Sequence, residues 1–338
     1  MSRQHRQLIE EVFAGKADRP GLWLGNPDPE TIKLYTKHFD LPDMESIRKH
    51  LGDDCRWICP EWDSYKHPAG QPIFDPYGGQ PKHSHNQPGV FAECTSVAEV
   101  EAFPWPDVTF LDFTETRQKL QAASDYFRFS GMWTCFFHIV ADFFGMDNYF
   151  VKMYTDPAVV QAVTEHVVDF YLAANERFFQ EAADEFEIYF LGNDFGTQQD
   201  LLISPEMFHK FIMPYFRKCI DQAKSFGLKV MLHSCGSIYR VIPDLLDAGV
   251  DALHPLQARA NGMDAETLAR NYRGKVVFVG GVDTQDLLVN GTPQDVRDEV
   301  WRLRDLWGEK FIVSPSHEAI LPNVPPENVV AMAEAAKE

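Results

Sequence analysis

The chain has 338 residues, of which 45% are hydrophobic and 24% charged, so it carries enough apolar material for a large core. Its 50 acidic and 31 basic residues give a formal net charge of -19, which disfavours nucleic acid and membrane surfaces as partners. No apolar stretch approaches the roughly 20 residues that span a bilayer, and residues 1–6 lead into an amphipathic helix instead of a signal peptide. The six cysteines are dispersed and indicate no disulfide framework, so we expect a cytoplasmic protein.

We expect a single domain over residues 1–338, whose N-terminal segment, 1–115, is an irregular extension with loops that cover a pocket. Residues 54–92 are dense in proline, glycine, aspartate and aromatic residues, which indicates ordered loops and not a flexible linker. Cys55 and Cys59 lie in this stretch, but no second pair of ligands at zinc-ribbon spacing follows them. We therefore interpret both as unpaired thiols.

The main region, residues 116–338, alternates helical patterns with short apolar runs that end in small or polar residues. The runs predict strands over 127–132, 188–191, 229–232, 252–256, 276–279 and 311–313. The helical patterns cover 157–183, 205–225, 238–248, 265–270 and 293–306. Ser204 and Thr292 precede prolines and are typical helix caps, while Gly227 and Gly249 stand where helices should end.

Strands that alternate with helices are typical of a parallel sheet covered by helices. Two architectures fit this pattern: an open doubly wound sheet, or a closed (β/α)8 barrel of the TIM type. The barrel is favoured because no glycine-rich dinucleotide-binding motif follows the early strands. Polar residues at the ends of many strands also favour it, since sites assembled from successive strand ends are typical of barrels.

A candidate metal site lies in the tripeptide His233-Ser234-Cys235, which follows the apolar run 230–232. Residues i and i+2 of a strand point to the same face, so the imidazole and the thiol should converge. His317 follows another apolar run, and the two strand ends together would form a His/Cys/His site suited to zinc with an open fourth position. The alternative is a buried thiol beside a hydrogen-bonded histidine.

Other polar residues at strand ends are candidates for contact with the substrate. Asp194 can orient a metal-bound histidine, act as general acid or base, or bind substrate, unless it only closes a turn or caps a helix. Asn193 and Gln257 are expected to bind substrate, whereas His254 is better explained as a structural histidine. Asp283 is a further substrate-binding candidate, although a helix start explains that position better.

Four segments carry a resemblance to a known family: 231–238 (MLHSCGSI), 249–257 (GVDALHPLQ), 277–285 (VFVGGVDTQ) and 314–328 (SPSHEAILPNVPPEN). They resemble the uroporphyrinogen decarboxylase superfamily. The resemblance covers roughly residues 130–335 and implies a distorted (β/α)8 barrel with its site at the C-terminal ends of the strands. One branch of the superfamily decarboxylates uroporphyrinogen, and another contains cobamide-dependent methyltransferases.

The residues of this chain resemble the methyltransferase branch more closely. In the decarboxylases, arginines that contact the substrate carboxylates follow an early R-x-P-x-W pattern, but here residues 24–29 (LGNPDP) contain none. The methyltransferases bind zinc through H-x-C and a later cysteine. His233 and Cys235 match the first two ligands, and His317 stands at the third position. The decarboxylases also carry a histidine near that point, so the H-x-C motif, and not His317, distinguishes the methyltransferase branch from the decarboxylase branch.

The resemblance implies a zinc-dependent methyltransferase that works with a corrinoid (cobalamin) carried by a partner protein. One thiolate and two neutral histidines would leave zinc with a formal charge of about +1, which suits polarisation of an ether oxygen. We therefore expect transfer of a methyl group from a small O-methyl donor, such as a methoxylated aromatic compound, to a corrinoid protein. Asp194 and Glu318 are the candidate acid/base or orienting groups.

Three alternatives stay open. The chain can be a metal-free decarboxylase or other lyase acting on a tetrapyrrole, a methylcobamide:thiol methyltransferase, or a non-enzymatic chaperone that binds a corrinoid or tetrapyrrole. The sequence lacks the D-x-H-x-x-G motif that ligates cobalamin, so we do not expect tight cobalamin binding by this chain itself. The sequence names neither the methyl donor nor the oligomeric state, and a homo-oligomer is compatible with it.

Overall fold

The structure is a computed structural model that describes residues 5–317 and 319–338, and an eight-stranded parallel sheet forms its centre. The strands are β1 (Gly21–Leu22), β2 (Cys55–Trp57), β3 (Phe127–Ser130), β4 (Ile188–Gly192), β5 (Lys229–His233), β6 (Ala252–His254), β7 (Val277–Val282) and β8 (Phe311–Pro315). Consecutive strands pair from β2 to β8, and β1 pairs with β8. Where β1 and β2 approach each other, the Asp54 amide donates a hydrogen bond to the Leu22 carbonyl oxygen at 2.9 Å. The sheet is a nearly closed barrel, which confirms the predicted (β/α)8 fold.

Helices cover the outside of the barrel and one of its ends. In the described residues they are α1 (His5–Ala14), α2 (Pro29–Phe39), α3 (Met44–Leu51), α4 (Val97–Glu101), α5 (Thr114–Ala122), α6 (Phe136–Phe144), α7 (Met146–Thr155), α8 (Pro157–Ala182), α9 (Pro205–Phe211), α10 (Met213–Ser225), α11 (Ile242–Asp247), α12 (Ala265–Tyr272), α13 (Leu287–Asn290), α14 (Pro293–Trp307) and α15 (Pro326–Ala335). Short 3-10 helices lie at Pro60–Trp62, Val108–Phe110 and Tyr239–Val241. None of the helices in the described ranges has the combination of length and apolar character that a membrane crossing requires.

The predicted caps are present at the helix ends. The Ser204 side chain accepts a hydrogen bond from the Met207 amide at the start of α9, and Thr292 forms a reciprocal capping box with Asp295 at the start of α14. Such caps typically contribute about 0.5–2 kcal/mol each. Gly227 and Gly249 follow the ends of α10 and α11 with φ angles of 76° and 105°, a backbone region that glycine enters without steric cost.

The predicted helix over 205–225 is divided in the structure. Its two parts, α9 and α10, meet at Ile212, which has φ -114° and ψ -55°. Pro214 causes the division because proline lacks the amide that would continue the hydrogen-bond ladder, and its ring crowds the preceding turn. The sequence pattern had joined the two helices because the apolar spacing continues across the break.

The first two strands lie inside the segment that was predicted to be irregular. They contain two and three residues, Gly21–Leu22 and Cys55–Trp57. Strands of this length carry too few residues for an alternating pattern to be recognised. The N-terminal segment thus supplies a quarter of the barrel strands, while the part between β2 and α5 packs through aromatic rings on the outer helices. Trp105, for example, stacks on His166 of α8 with ring centroids 4.6 Å apart.

Alternate strand residues point into the barrel and fill it with apolar side chains. Trp23 packs edge-on against Phe129 and Phe190, with ring centroids 5.1 and 5.7 Å apart. Leu8, Ile9 and Val12 of α1 belong to the same buried cluster. Full burial of each large apolar side chain is worth about 1.5–3 kcal/mol. The interior is therefore closed, and reactive groups can be accessible only in its uppermost layer.

The same alternation determines which residues form that layer. Met231 of β5 and Ala252 of β6 are interior residues, so the positions two residues later also point inward. These positions are His233 and His254, and the two residues are register partners on adjacent strands. Both histidines are nearly fully buried, at 4% and 1% exposure.

Candidate metal centre and active site

Three potential metal ligands converge at the C-terminal ends of β4 and β5. His233 ends β5, Cys235 follows two residues later, and Asp194 follows β4, whose last residue, Gly192, is in register with His233. The Nε2 atom of His233 lies 3.3 Å from Asp194 Oδ1 and 3.5 Å from Cys235 Sγ. The three ligand atoms all lie within 4.8 Å of one another, so one ion can contact all of them.

Asp194 is held in place as an anion. Its Oδ1 accepts a hydrogen bond from the Cys235 amide at 2.8 Å, and its own amide donates to Nε2 of His138 at 3.1 Å. Burial acts to raise the pKa of the Asp194 carboxyl, but the hydrogen bond and positive charge of His233 and the Cys235 amide outweigh it. The net pKa lies well below the usual range, so Asp194 is a carboxylate at neutral pH.

Two further histidines support the candidate ligands: His138 contacts Asp194, and His254 contacts His233. Burial lowers the pKa of His138, although the charge of Asp194 acts in the opposite direction. Burial also lowers the pKa of His254, as do the neighbouring His233 and His317. His254 places its Nδ1 3.0 Å from Nδ1 of His233 and packs on Trp23, with ring centroids 4.8 Å apart. Both supporting histidines are thus neutral at pH 7, and His254 has the structural position that the sequence predicted.

The donor set of this site fits zinc. Imidazole nitrogen, thiolate sulfur and carboxylate oxygen are the three ligand types that zinc takes in proteins, and three protein ligands are typical of catalytic sites. Magnesium and calcium are hard cations and would instead require oxygen ligands throughout. The backing of His233 by His254 and of Asp194 by the Cys235 amide matches the outer hydrogen bonds that fix ligand orientation in metal sites.

His317 does not belong to the three converging ligands. Its Nδ1 accepts a hydrogen bond from the Ala319 amide at 3.1 Å, and the residue lines a cavity beside the candidate metal centre. Asp194 takes the third position in the arrangement that the structure describes. The sequence had predicted Asp194 as an orienting or acid/base group and His317 as a ligand, and both roles stay predictions.

The comparison with protein families covers most of the chain. Residues 85–338 match the family model described as Uroporphyrinogen decarboxylase (URO-D). The chain belongs to the uroporphyrinogen decarboxylase family.

Three curated relatives of this URO-D family member are methyltransferases of Methanosarcina species. Methylcobamide:CoM methyltransferase MtbA of Methanosarcina acetivorans is 26% identical over 191 residues, which are 56% of this chain and 52% of that protein. MtbA of Methanosarcina mazei is 28% identical over 150 residues, 44% of this chain and 41% of that protein. The methylated-thiol–coenzyme M methyltransferase of Methanosarcina mazei is 26% identical over 165 residues, 47% of this chain and 40% of that protein. The matches thus span about half the length of these relatives, or less.

A solved structure shares the fold. The structure of a methyltransferase from Methanosarcina mazei superposes with a TM-score of 0.66 at 14% identity. The match covers 99% of this chain and 98% of that chain. At this identity the likeness establishes the barrel architecture alone.

The predicted substrate-binding residues have different positions in the structure. Asn193 is fully buried: its Oδ1 accepts from the Phe137 amide at 2.9 Å and its Nδ2 donates to the Thr134 carbonyl oxygen at 2.9 Å. These bonds hold the start of α6 against β4, which is a structural role. Gln257 lies at the mouth, where its Oε1 accepts from the Gly236 amide at 2.8 Å. Contact of either side chain with a substrate stays a prediction.

The two remaining candidates lie at β7 and β8. Asp283 accepts hydrogen bonds from the Gln285 amide and from Nε of Arg259, at 2.9 and 2.8 Å. It therefore organises the turn before α13, although that helix begins only at Leu287, and it also lines the cavity beside His317. Glu318 lies outside the described residues.

The sequence analysis did not identify His138 or Trp133 as parts of the site. His138 lies within the apolar helix α6, where no local pattern distinguishes it. Trp133 follows β3 closely, and its position after a strand was the signal that could have identified it. Its indole lies 5.4 Å from the His233 ring and 4.8 Å from the Trp57 ring, centroid to centroid. The indole of Trp133 lies where a side chain at position 192 would be, so glycine is required there.

Proposed function

We propose that this protein is a zinc-dependent methyltransferase that moves a methyl group from an O-methyl donor, such as a methoxylated aromatic compound, to a corrinoid protein. The observation that carries the proposal is the convergence of Asp194, His233 and Cys235 within 4.8 Å at the C-terminal strand ends. The curated relatives support the same reaction class, since each is named as a methyltransferase.

The ligand set influences which oxygen or sulfur compound the site would activate. Zinc bound by these residues would act as a Lewis acid on the donor atom of the methyl compound. The thiolate of Cys235 and the carboxylate of Asp194 together cancel the charge of the ion, so the formal charge is lower than that of the predicted His/Cys/His site. A carboxylate is a harder ligand than a second thiolate, however, and a harder set favours oxygen donors.

The protein residues have defined tasks in this reaction. Asp194 is ionised at neutral pH and hydrogen-bonded to the Cys235 amide, which favours an orienting or ligating role over that of general acid. In the transfer, the bond between the methyl carbon and the donor oxygen breaks and the electron pair stays on oxygen, which takes a proton from water. A reduced corrinoid on the partner protein would accept the methyl group and supply the electron pair of the new bond.

The mouth of the barrel offers an aromatic wall beside these ligands. The indoles of Trp133 and Trp57 lie next to each other, half-buried, and Trp133 neighbours the His233 ring. Aromatic rings prefer to pack edge-on or offset on other aromatic rings, with a gain of about 0.5–1.5 kcal/mol per pair. This wall supports an aromatic donor.

The six free cysteines are compatible with the cytoplasm, which we propose as the compartment.

A second candidate function is methylation of a thiol by a methylcobamide. It is favoured by the relatives, which include two methylcobamide:CoM methyltransferases and a methylated-thiol–coenzyme M methyltransferase. The formally neutral set of Asp194, Cys235 and zinc also suits a bound thiolate that must stay nucleophilic.

One experiment separates the candidates. Purified protein is analysed for bound zinc, and methyl transfer is followed by absorbance with cob(I)alamin and a methoxylated aromatic compound, and with methylcobalamin and a thiol. We expect one zinc per chain, loss of zinc in Cys235→Ala, and transfer from the O-methyl donor. Brisk transfer to the thiol without transfer from any O-methyl donor would contradict the proposed direction. Decarboxylation of uroporphyrinogen by metal-free protein would contradict both candidates.

A further inference from the structure

A cavity of about 380 Å³ opens beside the candidate metal centre, between the C-terminal ends of β6, β7 and β8. Gln257, which lines it, accepts a hydrogen bond from the Gly236 amide, and Gly236 directly follows Cys235. His317 lines the cavity further along the strand ends. None of the three converging ligands lines the cavity itself, but Gln257 connects it to the residue that follows Cys235, so a molecule in the cavity would share the barrel mouth with the metal ligands.

The described lining of this cavity contains one charged pair. Arg259 and Asp283 both line it, and Nε of Arg259 donates to Oδ2 of Asp283 at 2.8 Å. A second nitrogen of the same guanidinium, Nη2, donates to Asp286 at 2.7 Å. The other described lining residues are amides, hydroxyls, apolar side chains and His317. The permanent charges of the described lining thus cancel each other.

The pair is also fixed from the protein side. The Asp283 side chain is 13% exposed and accepts the Gln285 amide in addition to Arg259. Arg259 is 51% exposed, but both of its bonded carboxylates hold it in one orientation. A charged ligand in the cavity would find its counter-ion already bound and a like charge a few ångströms away. It would lose hydration without a compensating partner.

We propose that Arg259 and Asp283 select the methyl donor by its charge. The cavity accepts uncharged O-methyl compounds and rejects both carboxylated and cationic ones. This inference rests on the proposed function, because it assigns the cavity to the methyl donor of that reaction. Charged donors are rejected because Asp283 repels carboxylates and Arg259 repels cations. Neither kind of donor finds an opposite charge that is free to pair with it.

The test uses three compounds of the same shape: 4-methoxybenzyl alcohol, 4-methoxybenzoate and 4-methoxybenzylammonium. Binding to the zinc-loaded protein is measured by calorimetry, and methyl transfer to cob(I)alamin is measured in parallel. We expect the wild-type protein to bind the alcohol at least about tenfold more tightly than either ion. Asp283→Asn removes a like charge and retains an acceptor for the Gln285 amide, so binding of the benzoate should improve at least about tenfold.

The opposite variant should have the opposite effect. Arg259→Gln leaves the Asp283 carboxylate without its guanidinium, so binding of the benzylammonium compound should improve at least about tenfold while the benzoate gains nothing. Arg302→Gln is the matched control, because Arg302 also bridges two carboxylates, those of Glu299 and Glu266, and none of these three residues lines the cavity. It should leave all three affinities unchanged.

The outcomes distinguish this inference from the proposed function. Equal affinities for the three compounds, equal shifts in both variants, or no binding of any of the three would overturn the charge selection. If the charge selection is observed in binding but no methyl group reaches cob(I)alamin, the proposed function fails and the selectivity of the cavity stands. If transfer occurs from all three compounds at similar kcat/KM, the selectivity fails alone.

Discussion

The imidazoles of His233 and His254 face each other in the uppermost layer of the barrel, with their Nδ1 atoms 3.0 Å apart. A hydrogen bond between two such nitrogens contains one proton, so one imidazole donates and the other accepts. When His233 offers Nε2 to a metal ion, its Nδ1 carries the proton and Nδ1 of His254 accepts it. His254 is therefore expected to fix both the tautomer and the ring orientation of the ligand.

Replacement of His254 by phenylalanine should weaken zinc binding. The phenyl ring fills the buried space beside Trp23 and Phe190 but cannot accept the proton of His233. We expect zinc affinity to fall about tenfold to a hundredfold, the usual effect of losing an outer hydrogen bond to a ligand. The measurement is a competition with a chromophoric chelator. His209→Ala, at a surface position paired with Asp244, is the control, and equal affinity of the two variants would contradict this role.

Asp194→Asn should change stability in a way that depends on pH. The pKa of Asp194 is lowered in the folded protein, so the carboxylate stabilises the fold above its unfolded pKa of about 4. This contribution is lost as the pH falls towards the folded pKa. Because the side chain is 39% exposed, solvent screening reduces the effect to on the order of 1 kcal/mol at pH 7.

The check is urea unfolding of the metal-free protein at several pH values. The difference in unfolding free energy between wild type and Asp194→Asn should be largest near pH 7 and should shrink below about pH 4. Asp298→Asn is the control, since that carboxylate lies on the exposed surface of α14, where it accepts a hydrogen bond from Gln294. A difference that is constant from pH 3 to pH 7 would show that the variant acts through packing and not through charge.

Gly192→Ala should displace the indole beside the metal ligands. A Cβ atom at Gly192 would lie 1.9 Å from a ring carbon of Trp133, and Gly192 has no positive φ that would itself forbid alanine. We expect the unfolding free energy to fall by about 1–3 kcal/mol, because the added methyl group overpacks a space that the Trp133 ring already fills. The double variant Gly192→Ala/Trp133→Leu should lose less than the sum of the single variants, which chemical denaturation of the four proteins measures. Additive losses would mean that the two side chains do not compete for this space.

The extent to which the fold could be predicted depended on element length. The strands β3 to β8 were all identified because each carries a run of buried residues between helices of regular period. β1, with Gly21–Leu22, and β2, with Cys55–Trp57, were missed because two or three residues contain no period. Pairing with β8 and β3 defines them as strands, and such long-range pairing leaves no local signal.

The candidate site shows a similar limit. Strand periodicity places His233, Cys235 and Asp194 at one end of the barrel, and the structure brings these three together. The periodicity ends with the strand, however, so it could not predict how the side chain of His317 is directed in the loop after β8. His138 reaches the site from α6, and only the tertiary packing of that helix against β4 reveals this contact.

Zinc should protect Cys235 from alkylation. Cys235 is partly accessible at the barrel mouth, whereas burial raises the pKa of Cys219 to about 12 and keeps that thiol protonated and unreactive. In metal-free protein, brief treatment with iodoacetamide should therefore modify Cys235 before Cys219, as peptide mass spectrometry can quantify. Stoichiometric zinc should slow modification of Cys235 at least about tenfold, because the bound ion covers the sulfur and competes with the reagent for its electron pairs. The same treatment of His233→Ala should remove the protection without changing the rate at Cys219, and protection that persists in this variant would place zinc elsewhere.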